Sequence, residues 1–231
     1  MRGFLINIDN EFSLSIEISV MKKVILLFSL ILSMMIHLKA QQRIVAECTI
    51  TYSIAADANI TDKDMIESLK ESIKTVYIKG NNSRTDLVSP AFTQSTFFDK
   101  TEGTAVVLRE FGNNKFMTKL DKEAWKKQNS KFEGLTINTS TETKVILGYE
   151  CRKATMQLKD GSSYVIYFAN AIAPSVKEFE YQFKDVSGIV LEYEALESGG
   201  KKIHYTATKI NLSPVPASKF DIQPSNYRML N

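Results

Sequence analysis

Bond-making chemistry needs a nucleophile, a base or a metal ligand, and this sequence offers few of each. It has two histidines, His37 and His204, and two cysteines, Cys48 and Cys151. Zinc sites draw three or four ligands from His, Cys and carboxylates. One histidine between Ile203 and Tyr205 and two distant cysteines make no such set, so no metal is expected. A serine nucleophile sits on a sharp G-x-S-x-G turn with a histidine in reach, and the sequence has no such turn. Nothing beside Cys151 or His204 would activate a thiol. Glu192 and Glu194 share a strand face, but the pair reads as the polar side opposite Leu191 and Tyr193. There is no phosphate loop or dinucleotide fingerprint, hence no expected cofactor. The chain reads as a non-enzyme.

The next signal is a leader. From Met21 the order is Lys22-Lys23, an apolar run Val24 to Ile36, then Leu38-Lys39-Ala40 before Gln41. A basic start, an apolar stretch and a small residue at the cut describe a secretory signal peptide, cleaved after about Ala40. The run is shorter than the roughly 20 apolar residues of a membrane span, so no stable span is expected after cleavage. Gln41 stands where a lipoprotein needs cysteine. Residues 1–20 fit no part of a leader and read as an N-terminal extension of a chain that properly starts at Met21. Cleavage leaves 191 of the 231 residues, enough for one β-rich domain over 41–231. Four basic and three acidic residues leave with the leader, taking the net charge from +3 to +2. So balanced a surface gives no case for nucleic acid. The expected location is the periplasm or the exterior.

An oxidising compartment permits a Cys48–Cys151 disulfide, which would close a long loop and stabilise by about 4 to 5 kcal/mol in the chain-entropy model. Strand parity opposes it. Cys48 shares a phase with Ile44, Ala46, Ile50, Tyr52 and Ile54, the core side, whereas Cys151 is out of phase with Ala154, Met156 and Leu158. A bridge and two separate thiols both remain open.

The elements that must position these residues follow from period and punctuation. Strict alternation from Ile44 to Ile54 marks a strand with one buried face. After it, Thr61 precedes a helix with Ile66, Leu69 and Ile73 on one stripe and Met65 beside it. Short strands at 75–79, 83–88, 93–99, 104–110 and 115–120 are separated by Gly, Asn and Pro turns, and such connections join antiparallel neighbours. Asp121 caps a short helix to Gln128; Asn138 to Glu142 reads as a loop. Thr143 to Ala169 reads as two long strands around Asp160-Gly161, a strong hairpin signal. Its second strand is apolar on both faces and so belongs inside the sheet. Pro174 to Lys184 is a short helix or a loop. Strands 189–196 and 202–212 turn at Gly199-Gly200, and a tail packs back through Phe220 and Tyr227. About ten successive strands with little helix give a mainly β, antiparallel domain.

Several motifs occur in order: FFDKTEGTAVVLREF, KFMTKL, LGYECRKATMQLKDG, YVIYFA, FKDVSGIVLEYEA and FDIQPSNY. Together they resemble an exported Gram-negative family of unknown function related to the LolA/LolB periplasmic lipoprotein carriers. That resemblance covers roughly residues 75–227, with Gly148 to Ala154 its most distinctive part. It implies a curved antiparallel sheet or half-barrel whose concave side is covered by one to three helices, and no catalytic residues.

Aromatic and apolar strand residues either form an ordinary core or line a hollow for lipid. The candidate lining is Phe98, Phe116, Tyr164, Ile166, Phe168 and Tyr193. The expected function is a non-catalytic binding protein for a lipid or other hydrophobic ligand. The alternative is an envelope interaction component with a filled core, meeting its partner at a sheet edge or at residues 138–142.

Overall fold

In a computed structural model the described residues are 21–26, 41–196 and 201–230. They fall into two compact units, Met1–Gln41 and Gln42–Asn231. In the first, residues 21–26 are helical. The N-terminal extension, most of the apolar leader with its cut site, and the Gly199-Gly200 turn lie outside the described residues. Among the described residues no helix is long and apolar enough to cross a membrane.

The second unit is an open sheet of twelve strands with a small two-stranded ribbon beside it. The strands are β1 (Arg43–Val45), β2 (Glu47–Ala56), β3 (Ile73–Lys79), β4 (Asn82–Val88), β5 (Thr93–Asp99), β6 (Thr104–Phe111), β7 (Asn114–Leu120) and β8 (Thr136–Ile146). They continue with β9 (Tyr149–Gln157), β10 (Ser163–Ala169), β11 (Ile172–Pro174), β12 (Ile189–Leu196), β13 (Lys202–Asn211) and β14 (Arg228–Leu230). Across the large sheet the order is β14-β7-β6-β5-β4-β3-β2-β13-β12-β10-β9-β8. The run β2 to β7 is the expected meander. β13 then returns to the far side of β2, so the first and the last long strands lie side by side in the middle of the sheet.

Two pairings depart from the all-antiparallel expectation. β14 lies parallel to β7, and β1 parallel to β11. Both arise from long connections, which leave strand direction free where a tight turn would not.

Local chemistry explains most boundaries. Helix α1 (Lys63–Glu71) is capped by Asp62, whose carboxylate accepts from the backbone N–H of Asp64 and Met65 at 3.1 Å. The cap is thus Asp62 rather than Thr61. The helix ends at Glu71, so Ile73 is not on its apolar stripe; it opens β3 and is 50 % exposed. Helix α2 (Lys122–Gln128) takes the expected cap from Asp121 to Ala124 N–H at 2.8 Å.

Three further expectations give way. A bend at Ala46 breaks the alternation, so Val45 is buried while Ile44 is exposed, the reverse of the expected phase. Residues 138–142 are not a loop but part of β8, which pairs with β9 through a register shift between Thr139 and Thr143. The 143–169 stretch holds an additional turn, in which Leu147 and Gly148 both have positive φ, 50° and 81°. That is the geometry of a tight hairpin turn, which glycine adopts freely and leucine rarely.

Cys48 and Cys151 are two free, fully buried thiols. Cys48 sits opposite Ile78 on β3, Cys151 opposite Ala169 on β10, and both belong to the main core cluster. Burial raises their pKa to about 12 and about 11 respectively, so neither is a thiolate at neutral pH.

The main core lies on the inner, concave face, around Tyr52, Ile50, Ile78, Met156, Ile166 and Phe183. A smaller cluster of Phe97, Leu108 and Met117 lies on the outer face, covered by Phe220, Ile222 and Tyr227 of the tail as expected. Gly188 permits a close approach at the head of β12: a Cβ there would stand 2.1 Å from the carbonyl oxygen of Ala169.

Candidate functional site

The concave face is not filled throughout. Alternation places Arg109, Gln94, Leu87 and Lys74 directly opposite one another in a row across β6, β5, β4 and β3. Facing them across the hollow are Tyr205, Tyr193 and Tyr164 from β13, β12 and β10. A cover lies over both groups, made of α2 and short 3-10 turns at Ser130–Phe132, Lys177–Phe179 and Tyr181–Phe183. Between cover and sheet is a cavity of about 300 Å³.

Its floor is an aromatic cluster built around one lysine. Tyr193 stacks on Tyr205 with centroids 4.6 Å apart and planes 1° from parallel, and Phe183 and Tyr52 meet Tyr193 edge-on at 5.1 and 5.8 Å. Tyr52 is fixed in turn by donating to the carbonyl of Val190 at 2.7 Å. Lys74 is buried, 6 % exposed. Its ammonium lies 5.2 and 5.0 Å from the Tyr193 and Tyr205 ring centres, donates to Tyr193 Oη at 2.6 Å and pairs with Glu180 of the cover. A buried ammonium is tolerated only with such partners. Burial, then the nearby Glu180 charge, pushes the Tyr193 phenol far above its ordinary value, so Tyr193 remains neutral.

The cover is held separately. Trp125 of α2 stacks on Phe98 at 5.7 Å and meets Tyr181 edge-on at 6.3 Å, while Tyr181 and Lys184 both bind Glu133. Two groups of the wall lack partners among the described residues. The indole Nε1 of Trp125 and the hydroxyl of Tyr164 are buried without a hydrogen bond, at residue exposures of 9 % and 2 %. Native interiors rarely leave such groups unsatisfied.

Of the six expected lining residues, only Tyr164 and Tyr193 reach this cavity. Phe98, Ile166 and Phe168 are buried members of the concave core. Phe116 sits at the sheet margin, in a separate hollow with Lys115, Asn226 and Arg228. Lys74, Arg109, Trp125 and Glu180 were not anticipated. One signal was present: Lys74 falls in the buried phase of its strand, with Val76 and Ile78, and Arg109 likewise with Ala105 and Val107.

The other titratable residues are occupied structurally. Glu192 pairs with Lys144, and Glu194 accepts from Lys202 at 2.8 Å and from Val165 N–H at 2.9 Å. His204 lies 3.2 Å from Asp57, whose carboxyl is held low by hydrogen bonds from Asn59 N–H and His204. Among the described residues no group of three His, Cys, Asp or Glu side chains could hold a metal. The edge strand β8 is polar, exposed over 138–142 and bulged. Those are features by which natural sheets discourage edge pairing.

The described unit is therefore an open-sheet β domain with a covered, polar-lined hollow. Residues 50–228 match the model of the family described as N-glycanase peptide, N-terminal domain, and the chain belongs to that family. Among solved structures, PNGF-II is similar over 79 % of this chain and 30 % of its own, at 12 % identity and a TM-score of 0.46. A LolA superfamily protein, NE2245 from Nitrosomonas europaea, is similar over 77 % of this chain and 91 % of its own, at 13 % identity and a TM-score of 0.34. The chain thus spans about a third of the length of PNGF-II. No curated protein matches the sequence.

Proposed function

We propose that this chain is an exported, non-catalytic binding domain whose concave hollow receives a saccharide. The observation that carries the reading is the cavity itself, about 300 Å³ between sheet and cover, walled by Trp125 and four tyrosines together with charged and amide side chains. That volume is at the lower end for small-molecule sites. Aromatic faces offer a sugar ring its apolar C–H surface, and the polar groups offer hydrogen bonds to its hydroxyls. An acyl chain in the same place would lie against Lys74, Glu180 and Arg109, stripping water from charged groups and returning nothing to them. The lining therefore favours a sugar over the lipid expected from the sequence. The N-glycanase name of the family agrees with a glycan ligand. The leader supports export, and the structural occupation of His204, Cys151, Glu192 and Glu194 supports a role without catalysis.

The test is native mass spectrometry of the full chain with N,N′-diacetylchitobiose and, separately, palmitate. A one-to-one adduct with the disaccharide, lost in Trp125→Ala, is expected. Binding of palmitate with no sugar adduct would overturn the reading in favour of a lipid carrier.

A further inference from the structure

The charge and hydrogen-bond inventory of the same cavity narrows the class of saccharide, and the selectivity it implies rests on the saccharide reading. Five residues of the lining carry charge: Lys74, Arg109, Lys131, Glu180 and Glu194. Both carboxylates are engaged, Glu180 with Lys74 and Glu194 with Lys202 and Val165 N–H. The two remaining cations are not. Arg109 donates through Nε to the neutral amide oxygen of Gln94 at 3.0 Å, and Lys131 lies 4.8 Å from the ring centre of Phe132. Neither forms an ion pair among the described residues; the Lys131 charge is felt by Asp160, which does not line the cavity.

Of the three buried polar atoms without partners among the described residues, Glu178 Oε2 lies outside the cavity lining, and the two that line it, on Trp125 and Tyr164, have the same sense. An indole N–H is only a donor, and the phenolic O–H of Tyr164 has a proton to give. Burial raises the Tyr164 pKa further, which keeps that proton in place. The unsatisfied capacity of the cavity is thus weighted to donors and positive charge: each lining carboxylate is already tied to a lysine through one oxygen, Glu180 through Oε1 and Glu194 through Oε2, while the two cations have no such partner. Neutral sugars offer donors and acceptors alike and leave the two cations unanswered. A uronic acid, or another carboxylated sugar, offers acceptors and a negative charge. Arginine presents a planar fork of N–H groups that matches a carboxylate bidentately.

We propose that the cavity selects an anionic saccharide, its carboxylate received by Arg109 and Lys131 and its ring oxygens by Trp125 Nε1 and Tyr164 Oη.

The experiment is isothermal titration of the full chain with glucuronate and with glucose, which differ in the carboxylate alone, and with N,N′-diacetylchitobiose as the neutral reference. Glucuronate is expected to bind at least tenfold tighter than glucose. The preference should shrink several-fold between low salt and 0.5 M NaCl, because exposed charges are screened. Arg109→Gln should abolish most of it, bringing glucuronate to within about twofold of glucose. Lys131→Gln, at an exposed site that cannot unfold the domain, should reduce it by a smaller factor. If chitobiose binds and glucuronate is no better than glucose, the anionic selectivity is refuted and the saccharide reading stands. If no sugar binds, both fall.

Discussion

The two faces of this one sheet are finished differently. On the outer face, Phe97, Leu108 and Met117 are sealed by the tail, and the polar groups at the seal are matched. Arg84 donates to Asp86 and to the carbonyl of Lys219, both at 2.7 Å, and lies 5.0 Å from the Phe97 ring centre; Tyr227 donates to Glu110. On the inner face a larger core stops short of the cover, and buried donors of Trp125 and Tyr164 point to no protein acceptor. An interface that only stabilises has no reason to leave such groups open, since each costs about 1 to 3 kcal/mol in lost solvation. On the proposed reading, the contrast separates the face that serves the domain itself from the face that serves a ligand.

Mutations can break that contrast, the largest effect lying on the outer face. Met117 is 1 % exposed. Met117→Ala should lower stability by about 3 kcal/mol in urea titration, with ligand affinity unchanged. If affinity fell as well, the two faces would be coupled and the division of roles wrong. On the inner face, Lys74→Ala removes one partner of a pair whose side chains are 7 % and 27 % exposed. Breaking a fully buried pair costs about 3 to 5 kcal/mol, and the partial exposure of Glu180 reduces this to about 2. The loss should be accompanied by a looser cover, seen as faster amide exchange over residues 177–183.

Smaller effects belong to the tail. Tyr227→Phe removes a hydrogen bond to a carboxylate and should cost about 1 kcal/mol. The same contact is pH-dependent. Hydrogen bonds from Tyr227 and then Lys115 hold the Glu110 carboxyl below its ordinary 4.5. A depressed carboxyl contributes stability that is complete above its unfolded value and is lost as pH falls through the folded one. Acid below about 4.5 should therefore loosen residues 217–230, seen as faster amide exchange there. In Tyr227→Phe that acid step should shrink. An unchanged step would place the titrating group elsewhere.

Much of this architecture is legible in the sequence, and the failures have physical causes. β2 to β7 are readable because apolar residues alternate and Gly, Asn or Pro marks each turn. β8 is not, because an exposed edge strand uses the polar residues of a loop, as Asn138 to Glu142 do. The Leu147-Gly148 turn escapes notice because its first residue is an unusual occupant of positive φ. The return of β13 to the side of β2 is a long-range pairing that no local pattern encodes. At the site, Tyr164 and Tyr193 were legible as concave aromatics, but Phe98, Ile166 and Phe168 are equally apolar strand residues and end in the filled core, away from the cavity. Lys74 and Arg109 were legible as charged residues in a buried phase, a better marker of the hollow than the aromatics around them.

Whether the inner face is open for a ligand is tested most directly by one substitution read two ways, Tyr164→Phe, with stability by urea titration and chitobiose affinity by calorimetry. Deleting an unpartnered buried hydroxyl should stabilise the free protein by about 1 kcal/mol while weakening the sugar severalfold. A variant that is less stable and binds as before would show that the hydroxyl serves the fold, and would contradict the claim that this face is open for a ligand.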